Sequence, residues 1–103
     1  MKEKLVKLRQ GPFPKKYTAF LRNNETGRIR RINFGDRRYQ QYKDRTGLGL
    51  YSELDHGDRK RMRNYYSRHS GVKTRKAGLE KEWAKARRSG LYTAKLLSHI
   101  YLW

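Results

Sequence analysis

An α+β fold is predicted for this chain: one small domain in which an N-terminal antiparallel β-hairpin, or its extension to three strands, packs on three to four short helices. Three observations predict it. Alternating, extended segments separated by turn residues fill the first third of the sequence. Apolar residues at helical spacing, bracketed by capping residues, fill the second half. A length of 103 residues allows at most one domain, and its Trp, Tyr and Phe residues distinguish it from a disordered tail. Residues 1–15 are read as a basic N-terminal arm or edge strand and residues 16–103 as the single α+β domain.

Residues 3–9 (Glu-Lys-Leu-Val-Lys-Leu-Arg) form a short strand in this reading, ended by Gly11, Pro12 and Pro14. Tyr17, Ala19 and Leu21 then alternate with Thr18, Phe20 and Arg22, and the extended style resumes at Arg28–Phe34. The five residues Asn23–Gly27 between them are turn formers, so the two runs are a hairpin. Gly35 breaks the second run. Asp36 is placed to cap a short helix whose stripe is Tyr39 and Tyr42 and whose end lies near Asp44. Gly47-Leu48-Gly49-Leu50 is a loop, with Leu48, Leu50 and Tyr51 expected to reach the core.

The central helix, 56–70, has Asp55 as its cap, Asp58 near its positive end, and Met62, Tyr65, Tyr66 and His69 along one face. Gly71 stops it. Leu79, Trp83 and Ala86 share a face of a second helix that ends at Ser89-Gly90. The last segment, 91–103, has Thr93 as its cap and is apolar nearly all round. It is either the buried centre of the fold or a docking peptide whose contact residues are Leu97, Ile100, Tyr101 and Trp103.

Charge dominates the functional reading. With 27 Lys+Arg against 9 Asp+Glu the formal net charge is +18, so self-repulsion opposes compactness and a polyanion stabilises the fold by mass action. The partner implied is nucleic acid, DNA ahead of RNA. Arg28, Arg30, Arg31, Arg37, Arg38, Arg59, Lys60, Arg63, Arg87 and Arg88 are the candidate phosphate contacts. The tyrosines beside these arginines fit a buried helix face better than base stacking. A ribbon reading a major groove through Arg28, Arg30 and Asn33 is the weaker alternative to backbone contact without sequence readout.

Other chemistry finds little footing. The nine acids are scattered and sit beside helix starts or basic neighbours, and adjacency of Ser67, His69 and Ser70 is not triad geometry, so no catalytic residue and no enzyme is expected. His56, His69 and His99 lack a short ligand spacing, so no metal or cofactor is assigned; His69 is expected to be a helix-end core residue and His99 a partner of a backbone carbonyl. Absence of cysteine fits a reducing compartment. Neither a signal peptide nor a membrane span is read, which points to an intracellular or particle-enclosed protein.

Ile32-Asn33-Phe34-Gly35, Gly47-Leu48-Gly49-Leu50-Tyr51, Tyr65-Tyr66-Ser67-Arg68-His69-Ser70-Gly71 and Thr93–Trp103, in that order, carry a resemblance. The chain resembles, over residues 16–103, a family of small basic proteins of large nucleocytoplasmic DNA viruses and some algae. Its most specific parts are Arg68-His69-Ser70-Gly71 and the closing Leu97-Ser98-His99-Ile100-Tyr101-Leu102-Trp103. The resemblance implies a virion, viral factory or nucleus as the setting. There a basic domain would condense the genome, or line the capsid and dock to shell proteins through its apolar C-terminus. A ribosomal-type RNA-binding protein is the third reading. Oligomeric state stays open.

Overall fold

The computed structural model describes all residues, Met1 to Trp103. An antiparallel sheet in the order β1-β2-β3 comes first: β1 Glu3–Gln10, β2 Lys15–Asn23 and β3 Ile29–Asp36. A long loop with one 3-10 turn, Ser52–Leu54, leads to α1 Arg59–Ser70, α2 Arg75–Ser89 and α3 Ala94–Tyr101. The α+β architecture is as the sequence predicts, with the sheet extended to three strands.

The β2–β3 connection follows from its turn residues: the Asn23 side chain accepts from the N–H groups of Glu25 and Thr26, and Gly27 takes a positive φ. On the β1 side, pairing slips by one residue between Leu5 and Lys7, so Val6 forms a bulge. Because of that slip Leu5 and Leu8, three apart, face the same way as Leu21 and Ala19. The inner face of the sheet is therefore Leu5, Leu8, Tyr17, Ala19, Leu21, Ile32 and Phe34.

Onto this face pack Leu97 and Leu102 of the C-terminal segment and Tyr51 of the loop, forming the core with Tyr17, Ala19 and Phe34. α3 lies against β3 and α2, and α1 against α2. Each helix is capped at its start by its own sequence, and α1 and α2 at their ends as well. Asp58, Thr74 and Thr93 accept from first-turn N–H groups, and Gly71 and Gly90 close α1 and α2 in the left-handed conformation. The α1 cap is thus Asp58, not Asp55. α2 crosses α1 closely at Gly78, where any Cβ would run into the Tyr66 ring.

Several expectations are corrected. No helix forms around Tyr39 and Tyr42: Tyr39 is exposed, and the buried residue there is Gln41. The backbone donors a helix would use internally are taken by distant carbonyls, Tyr42 and Lys43 by Leu102 and Arg45 by Tyr101. Gln41 instead pairs in parallel with Asp55, its amide donating to the Tyr51 carbonyl (2.8 Å) and the Asp55 carboxylate (2.6 Å). Leu48 and Leu50 stay exposed, and only Tyr51 reaches the core. His69 is exposed too: its ring lies against Tyr65 at the α3 side of α1, where Lys95 donates to its carbonyl, but nothing covers it. In α2 the buried residues are Gly78, Glu82 and Ala86, with Leu79 and Trp83 half-buried.

His99 is fully buried, and its partners are side chains rather than a backbone carbonyl. Its Nδ1 lies 2.9 Å from the Tyr65 hydroxyl and its Nε2 2.7 Å from Ser70 Oγ, which itself donates to Glu82 (3.2 Å). A neutral imidazole satisfies this chain in one direction: Tyr65 O–H to Nδ1, Nε2–H to Ser70, Ser70 O–H to the carboxylate. Burial pushes the His99 imidazole down to about 4, against an ordinary 6.5. Protonation would demand a second N–H donor where Tyr65 already donates. The folded pKa being depressed, His99 contributes stability that is complete above pH 6.5 and lost as pH falls towards 4, up to about 3 kcal/mol. Burial shifts His56 and His69 in the same direction. Urea midpoints measured between pH 7 and 4 are expected to fall steadily in the native chain and less steeply in His99→Phe. A native midpoint constant over that window would refute the buried-neutral assignment.

Candidate nucleic-acid interface

The outer face of the sheet has no helix over it. Three cross-strand rows build it: Lys4, Arg22 and Ile29; Lys7, Phe20 and Arg31; Arg9, Thr18 and Asn33. Alternation on β2 puts Thr18, Phe20 and Arg22 opposite the core residues Tyr17, Ala19 and Leu21, and antiparallel pairing fills the rows from either side. Lys7 Nζ stands 4.7 Å and Arg31 Cζ 5.3 Å from the Phe20 ring centroid, a cation on each side of one aromatic. Thr18 is buried beneath its neighbours and donates to Asn33 (2.6 Å).

Lys4, Lys7, Arg9, Arg22 and Arg31 are all exposed, and none is in an ion pair. No carboxylate belongs to the three rows. Outward side chains recur every two residues, about 6.6 Å apart along a strand, a spacing of the order of successive phosphates on an extended backbone.

The missing carboxylates are engaged elsewhere. Glu3 points inward, accepts two bonds from Arg30 (both 2.8 Å) and one from the Tyr92 N–H (3.0 Å). The Arg30 guanidinium holds its carboxyl below the usual range. Asp36 is held down to about 2 by the Arg38 side chain. Asp58 caps α1, and Asp44 and Asp55 organise the long loop. With these acids bound within the fold, the five cations of the open face have no carboxylate in their three rows to offset them.

The ten cations expected to contact phosphate therefore divide. Arg30 is tied to Glu3 and the Tyr92 carbonyl, Arg37 donates to the Lys15 and Gly11 carbonyls (3.2 and 3.0 Å), and Arg38 pairs with Asp36. Arg28, Arg31, Arg59, Lys60, Arg63, Arg87 and Arg88 are exposed and make no ion pair. Arg28 and Arg31 belong to the sheet end and its open face, Arg59, Lys60 and Arg63 to α1, and Arg87 and Arg88 to the last turn of α2, where Arg87 lies over Trp83. They do not form one cluster. Lys4, Lys7, Arg9, Arg22 and Phe20 were not among the expected contacts; alternation across the hairpin would have found Phe20 and Arg22 opposite Arg31 and Ile29, whereas the β1 members carry no such signal.

Of the residues expected to dock a partner, Leu97 is fully buried and Ile100, Tyr101 and Trp103 are half-buried. Trp103 stacks on Tyr65 (centroids 4.3 Å apart, planes at 4°), and Tyr101 packs near Phe34. The C-terminal segment thus belongs to the core of this fold, its apolar side chains packed on partners within the chain.

Comparison with protein-family models, curated proteins and solved structures finds no match for this chain. No helix is long and apolar enough to cross a membrane.

Proposed function

We propose that this protein is a non-enzymatic binder of the nucleic-acid backbone, acting without sequence readout through the open face of its sheet. The observation that carries the reading is the unopposed set Lys4, Lys7, Arg9, Arg22 and Arg31 around Phe20, with no acid in the three rows. Exposed Arg28, Arg59, Lys60, Arg63, Arg87 and Arg88 extend the positive field and steer the polyanion towards the domain. Lys and Arg on the open face neutralise phosphates, contacts that carry no sequence information, so affinity follows charge and not sequence.

In the setting implied by the resemblance to small basic proteins of large DNA viruses, this activity would serve genome packaging inside the virion. The experiment is fluorescence-anisotropy titration of labelled duplex DNA, single-stranded DNA and a structured RNA over a range of salt. Five phosphate contacts on the sheet alone predict a log–log salt slope of about −4.5 on duplex, alike for unrelated sequences. Weak binding of all three at low salt would sink the reading, and marked preference for the structured RNA would favour a ribosomal-type role.

A further inference from the structure

A groove of about 770 Å³ opens between the end of the sheet and helices α1 and α3. Asn33, from the open face's third row, is also in its wall, so the groove continues that face rather than standing apart from it. Its lining combines two chemistries. Tyr39 and Trp103 supply flat aromatic surface, Tyr39 being 66 % exposed although it is one of the largest apolar side chains on the molecule. Lys15, Arg61, Arg68 and Lys95 supply positive charge, and the single acid there, Asp36, is neutralised by Arg38.

Resting on the reading above, we propose that this groove takes an unpaired nucleotide of a single strand crossing the sheet, its base against Tyr39 and Trp103 and its phosphate at Arg68 and Lys15. A volume of this size is that of a small-molecule site, and an aromatic wall rimmed by cations matches a ligand with one flat apolar face and one anionic group. Duplex DNA keeps its bases stacked inside and can offer the groove only phosphate. The inference therefore assigns the domain a preference for single strands over duplex that charge alone would not create.

Trp103 reports on the site directly, once Trp83→Phe removes the other tryptophan of the chain. In that background, oligothymidylate is expected to quench Trp103 fluorescence, whereas heparin, a polyanion without bases, binds without quenching. Tyr39→Ala is expected to lower oligothymidylate affinity about tenfold, the size of one lost base stack, and to leave heparin affinity within twofold. Oligothymidylate binding with a steep salt slope but no quenching and no Tyr39 effect would overturn the groove while leaving backbone binding intact. Quenching by thymidine monophosphate but not by the oligomer would overturn it in favour of a free nucleotide. If neither heparin nor oligomer binds, the backbone reading falls and the groove proposal with it.

Discussion

Removal of Ile100–Trp103 is expected to abolish the folded domain rather than to free a docking peptide. Leu102 is 1 % exposed at the core, and Trp103 covers Tyr65. Deleting the buried Leu102 side chain alone costs about 2–5 kcal/mol, and the Tyr101 and Trp103 contacts go with it. The main chain matters as much. Carbonyls of Tyr101 and Leu102 accept from Tyr42, Lys43 and Arg45, and the Ile100 carbonyl accepts from Arg75, so truncation leaves these donors without partners. The total approaches or exceeds the about 5–15 kcal/mol by which such a domain is stable. Near-ultraviolet circular dichroism of the truncated chain should show no fixed aromatic environment, and urea should give no cooperative transition. A truncated chain with native spectrum and unchanged midpoint would mean that the segment is dispensable to the fold and available to a partner. Leu102→Ala, a milder change, is expected to fold with its midpoint lowered.

The triple reversal Lys7→Glu, Arg9→Glu, Arg31→Glu has the largest effect expected on binding. Each lost phosphate contact removes about 0.9 from the magnitude of the duplex salt slope, so about 2.7 disappears, and affinity near 0.1 M salt should drop at least about 100-fold. Stability should hardly move, because all three side chains are exposed on the face opposite the core. The matched reversal of Arg59, Lys60 and Arg63 on α1 is the control for total charge: it removes the same net charge and is expected to weaken binding much less. Equal losses from the two triples would show that the field as a whole, and not the sheet, holds the ligand.

Much of the fold was readable because its signals are local. Alternation on β2, the Asn23–Gly27 turn, the Thr93 cap and the terminating Gly71 and Gly90 each depend on neighbours within a few residues. The misread parts depend on partners far along the chain. Tyr39 and Tyr42 have helical spacing, yet the donors of residues 42–45 go to the C-terminus, and Gln41, polar and unremarkable in sequence, is the residue that is buried. Lys16 is a further case: it reads as one more surface cation, but it is 2 % exposed and donates to Gln41, and burial pushes its ammonium down to about 8. The candidate interface was partly hidden for a similar reason. One extra residue at Val6 breaks the alternation of β1, so the outward set Lys4, Lys7, Arg9 cannot be counted off by twos. Arg30 looks equivalent to Arg31 until the register shows one facing Glu3 and the other facing solvent.

That same extra residue bears on how copies of the domain behave when crowded together. β1 is a free edge, with a row of backbone groups that an identical strand in a neighbouring molecule would otherwise find ready to extend. The irregularity at Val6 interrupts this row near its middle, and Lys4, Lys7 and Arg9 repel a like edge brought alongside. Charge repulsion weakens where a polyanion gathers many copies, whereas the geometric interruption does not depend on salt or ligand. On the proposed reading, copies gathered on one strand would thereby be kept from joining into a continuous intermolecular sheet.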